Sequence, residues 1–168
     1  MEIWIIGIPL VILMVFLSTR IKKLANQAYG EELIERQGFA LIKPEGLIAL
    51  ENPEEGFQFQ AESKGFGERE ETESFREASA SVSINDVGIE PVVSKLLEIP
   101  NVEVILRSED GCSVRYRDSE GEVVKHVFRR VMSKGTSRHI ELRVTVLDES
   151  IDEFEEGAKA MIRSLREN

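Results

Sequence analysis

Apolar and polar positions divide the chain into one long apolar run, a mixed stretch, and a series of short alternating segments. No residue from Ile3 to Thr19 is charged, so a helix there is apolar on every side, unlike the one-sided stripe of a helix packed on a soluble core. These 17 residues reach about 25 Å at ~1.5 Å each, slightly short of a ~30 Å hydrocarbon layer. Ile21 and Leu24 extend the apolar side, while Arg20, Lys22 and Lys23 can reach the headgroups, and Trp4 stands where an interfacial aromatic is expected. The pattern predicts a membrane anchor over residues 1–20. Its basic residues follow the run and no small-residue cleavage site comes after it, which argues against a removable signal. Arg20, Lys22 and Lys23 all lie on the C-terminal side, which predicts a cytoplasmic domain.

Ile21, Leu24, Ala28 and Leu33 form a thin stripe that predicts a helical stalk over 21–37, with a kink at Gly30 and an end at Gly38. A globular domain over 38–168 follows. Phe39 to Lys43 reads as a strand stopped by Pro44, Leu47 to Leu50 as a short apolar piece, and Phe57 to Glu62 as an alternating strand. Residues 63–77 are acidic and read as a solvated connection, with a partner contact around Phe66 as the alternative. Ala78 to Ile84 alternates again, and Pro91 suits the first position of a short helix ended by Pro100. Four strands then follow at 102–107, 112–118, 122–132 and 138–147, separated by glycine-containing turns. Ser150 with Glu153 forms a capping-box pattern before a stripe of Ile151, Phe154, Ala158, Met161, Ile162 and Leu165. The expected class is therefore α+β: an N-terminal transmembrane helix, then an antiparallel sheet with covering helices.

A net charge of −10 argues against a general nucleic-acid binder. The single cysteine, Cys112, excludes an internal disulfide. His126, His139 and Cys112 come from neighbouring strands, but alternation turns His139 outward and Cys112 inward, so no metal or other cofactor is expected. Glu54-Glu55 and Glu70-Glu71 have no partner base, and no nucleophile elbow or phosphate loop is present, so enzymatic activity is not expected. Between Arg107 and Arg143 nine Lys or Arg stand against six Asp or Glu. Arg115, Arg117, His139 and Arg143, with Lys125 and Arg129 or His126 and Arg130, are expected to share one face. The surface could be a solvated face paired with Glu122 and Glu141, or a docking site for an acidic partner or anionic headgroups.

Three stretches resemble the PsbP-like fold family, named for the extrinsic P protein of photosystem II. They are Phe39-Ala40-Leu41-Ile42-Lys43-Pro44-Glu45-Gly46, Ala80-Ser81-Val82-Ser83-Ile84 with the Pro91 helix, and Ile140 to Val146 with the closing helix to Leu165. Leu47 stands where the family often carries Trp. The likeness covers about residues 38–166 and implies a domain that binds and stabilises assemblies without being an enzyme. The resulting expectation is a single-pass accessory protein that docks a membrane protein or complex. The alternative is an extracytoplasmic small-ligand or envelope-stress binding protein.

Overall fold

The computed structural model describes residues 3–65, 76–121, 123–135 and 137–168, with side chains left out at 3–12, 24–26 and 120. The acidic stretch 66–75, Glu122 and the Trp4 side chain lie outside the described residues. Helix α1 spans Ile3–Ala28. Strands β1 (Glu32–Arg36) and β2 (Phe39–Lys43) form an antiparallel hairpin. Then come β3 (Leu47–Ala49), β4 (Phe59–Ser63), β5 (Ala78–Asn85), α2 (Ile89–Leu97), β6 (Glu103–Ser108), β7 (Gly111–Glu120), β8 (Val123–Lys134), β9 (Arg138–Leu147) and α3 (Ile151–Ser164). Strands β3 to β9 make one antiparallel sheet in the order β3-β4-β5-β9-β8-β7-β6.

The stalk helix expected to Gln37 ends at Ala28, and residues 32–36 are strand. The pairing Arg36↔Phe39 leaves Gln37-Gly38 as a tight turn, and Gly38 adopts φ +97, a conformation that favours glycine. Strand pairing that buries Ile34 at 7% exposure outweighs the weak helical stripe. The domain accordingly begins before residue 38.

Both sheet faces are covered. On one face α3 and the hairpin close a large core of Phe39, Leu41, Phe128, Leu142, Met161 and Ile162 with their neighbours. On the other, α2 covers a smaller core of Leu96, Cys112, Val114, Tyr116, Val127 and Val131. Three sequence details differ. Pro91 is the third residue of α2, where its missing N–H still costs no helical bond. Ser150 makes no side-chain cap, because residues 148–150 already form a 3-10 turn and Ser150 sits at φ −110, ψ 8 instead of the extended conformation of a cap. Phe57 precedes β4 and is 36% exposed, so Phe59, Ala61 and Ser63 form the inward set.

Helix α1 joins neither core among the described residues. Leu13, Met14, Val15, Phe16, Leu17 and Ile21 are 48–65% exposed. Among the described residues, no helix is long and apolar enough to cross a membrane.

Candidate functional site

The expected cationic face is divided between two sides of the sheet. Register pairs Arg115 with Phe128 and Phe128 with Val144, so Arg115 stands on the α3 side. Arg117 pairs with His126 on that same side. Arg129 pairs with Arg143 on the α2 side, and His139 belongs there too. The expectation failed because it equated the inward side of β7 with that of β9. Cys112, Val114 and Tyr116 face one core, while Ile140, Leu142 and Val144 face the other.

Strand β7 brings Arg115 to β8 and to the start of α3. Its Nη1 donates to Glu155 Oε1 at 2.8 Å, its Nη2 lies 3.1 Å from His126 Nδ1, and its guanidinium is 5.3 Å from the Phe128 ring centroid. A guanidinium only donates, so His126 Nδ1 accepts and the ring proton is on Nε2. Nε2 then donates to Asp148 Oδ1 at 2.6 Å. His126 is 2% exposed, so its ring ties the 3-10 turn to the sheet from inside. Lys159 reaches Glu155 at 2.7 Å; that hydrogen bond first, and Arg115 beside it, hold the Glu155 carboxyl below the usual carboxylate range. Arg117 is 73% exposed with Asp148 3.9 Å away.

On the α2 side Arg129 is bound to Glu141 at 2.6 Å, and Arg143 has Asp118 at 4.0 Å. His139, expected outward, is 3% exposed. Its Nδ1 donates to the Val87 carbonyl at 2.7 Å, and Nε2 is 3.3 Å from Asn85 Nδ2, because the chain leading from β5 into α2 closes over it. His126 and His139 therefore stand on opposite faces, and the three-ligand grouping with Cys112 does not assemble.

Two cations end helices from a distance. Arg130 Nη1 donates to the Ile162 and Arg163 carbonyls at 2.7 and 3.2 Å, at the C-terminus of α3. Lys43, fully buried, donates from Nζ to Ala28 O at 3.4 Å, Gly30 O at 2.5 Å and Leu47 O at 2.8 Å. Gly46 N–H also donates to the Tyr29 carbonyl at 2.8 Å, so β2 and the turn after it hold the end of α1. Cations suit these carbonyl-rich ends. Sequence reasoning had not singled out Lys43, although a period of two places it on the side of Phe39 and Leu41. Arg20, Lys22 and Lys23 are exposed along α1.

No family model matches the chain, and no curated protein matches it in sequence. Solved structures do match in shape. The solution structure of the cyanobacterial PsbP, CyanoP, from Synechocystis sp. PCC 6803 is 15% identical at a TM-score of 0.55, covering 83% of this chain and 94% of that one. LpqN of Mycobacterium tuberculosis, involved in cell envelope biogenesis, is 10% identical at 0.55, covering 83% and 91%. A protein from Bacteroides thetaiotaomicron is 12% identical at 0.53, covering 83% of this chain but only 49% of its own. At these identities the likeness speaks for shape, and that shape is the PsbP-like fold.

Proposed function

We propose that the chain is a single-pass membrane protein in which α1 anchors a non-enzymatic PsbP-like domain that docks a partner protein or stabilises a membrane complex. One observation carries this reading: Leu13 to Leu17 are five successive exposed apolar residues, more than one full turn, on a helix outside both cores. Water is a poor surrounding for such a surface, whereas a bilayer suits it. The uncharged stretch from Ile3 to Thr19 supports it further. Arg20, Lys22 and Lys23 favour a cytoplasmic domain. The envelope role of the mycobacterial neighbour favours the second reading, a domain outside the membrane that binds a small ligand or responds to envelope stress.

The test is alkaline carbonate extraction of membranes. The native chain is expected in the pellet, and a Leu13→Arg, Leu17→Arg variant in the supernatant; release of the native chain would sink the anchor. A cysteine at exposed Ser119 then reports the side through an impermeant thiol reagent, with Cys112 silent at 2% exposure. Mild-detergent capture from native membranes is expected to return a stoichiometric membrane partner. A chain that always migrates alone would remove the docking function.

A further inference from the structure

The β1–β2 hairpin and the end of α3 enclose a groove of about 530 Å³. Leu33 and Ile42 face each other across the hairpin and line it, 54% and 39% exposed. Glu31 and Glu32 line it from the hairpin, Arg163 and Arg166 from the end of α3, and all four are exposed. No ion pair joins these two walls among the described residues. The walls are pinned together: Ile42 N–H donates to Ser164 Oγ at 2.9 Å, and Ala40 and Arg166 exchange backbone hydrogen bonds of 2.9 Å. The groove is thus built with an apolar lining, a carboxylate wall and a guanidinium wall.

Its position follows from the Lys43 joint. Glu31 comes three residues after Ala28, whose carbonyl Lys43 holds. If Arg20, Lys22 and Lys23 reach out to the headgroups, the helix from Ile3 to Leu24 is about 33 Å long, close to the thickness of the hydrocarbon layer, and Ala28 is ~6 Å further on. That distance matches the ~5–8 Å depth of a headgroup layer.

We propose that this groove seats the headgroup of a phospholipid carrying both a phosphate and a primary ammonium, a phosphoethanolamine group. The phosphate meets Arg163 and Arg166, whose forked donors suit phosphate oxygens. The ammonium meets Glu31, which shares the hairpin face of Leu33, and the first acyl methylenes cover Leu33 and Ile42. A purely anionic lipid leaves Glu31 without a partner and is disfavoured. This site rests on α1 as anchor and would fix the orientation of the domain on the bilayer.

The experiment places the full chain in nanodiscs of phosphatidylcholine doped equally with phosphatidylethanolamine and phosphatidylglycerol. A photo-crosslinking residue replaces Glu35, which shares the hairpin face of Leu33, and a control probe replaces Ser119. Capture of phosphatidylethanolamine over phosphatidylglycerol by on the order of tenfold is expected from position 35 and not from 119. In an Arg163→Glu, Arg166→Glu variant with unchanged melting temperature, the preference is expected to vanish. Capture that follows lipid composition, persists in that variant, or finds a protein instead would overturn the site while the chain stays in the discs. A native chain that fails to enter the discs overturns the anchor, and the site with it.

Discussion

Lys43 shows how one side chain sets both a junction and a pH response. Burial lowers its pKa from the usual 10.5, opposed only in part by Glu32. The unfolded chain therefore binds more protons than the folded one between the lowered value and 10.5, and stability rises with pH across that window. Its contribution is fully present above 10.5 and lost as pH falls through the folded value. Lys43→Met is expected to remove this slope, seen as the difference between the two chains in urea unfolding at successive pH values. Near neutrality the variant is expected to lose ~1–3 kcal/mol, because the Ala28, Gly30 and Leu47 carbonyls lose their donor.

Among the elements, α2 decides what the second face of the sheet can do. It places Leu96 over Cys112, at 1% and 2% exposure, and burial pushes the thiol pKa up, with Arg107 opposing in part. Thiolate is the reactive form, so Cys112 is expected to label slowly, at the rate at which α2 opens. Leu96→Ala is expected to cost ~2–5 kcal/mol and to speed labelling. Fast labelling of the native chain would contradict the cover. Periodicity and the Pro91 signal foretold this helix, but not which strands lie beneath it, because that depends on pairing between distant segments.

At the scale of the whole molecule, a sheet covered on both sides separates charges that alternation alone appeared to unite. Arg115 and Arg143 stand on opposite faces, so the losses from Arg115→Ala and Arg143→Ala are expected to add within ~0.5 kcal/mol. Arg115 and Glu155 touch at 2.8 Å, and their double-mutant cycle is expected to show coupling above that level. Urea unfolding of the single and double variants checks both. Additivity in the second pair and coupling in the first would mean that the register is wrong. Three of the cations first assigned to an outer docking face serve the fold: Arg130 ends α3, Arg129 holds Glu141, and Arg115 holds Glu155 and His126.

The order of the strands from Phe39 onward, the two covering helices and the uncharged opening run were legible in the sequence, because each is a local pattern with its own period or turn residues. The α3 stripe is an example: Phe154, Ala158, Met161, Ile162 and Leu165 are all buried, as their spacing requires. Only the tertiary structure decided that residues 32–36 are a strand, that His139 is inside, and that Arg115 and Arg143 part company. Each depends on which distant segment supplies the partner, and a strand places alternate residues on opposite faces whichever core lies beyond. The sequence determined the period; the fold determined that there were two insides.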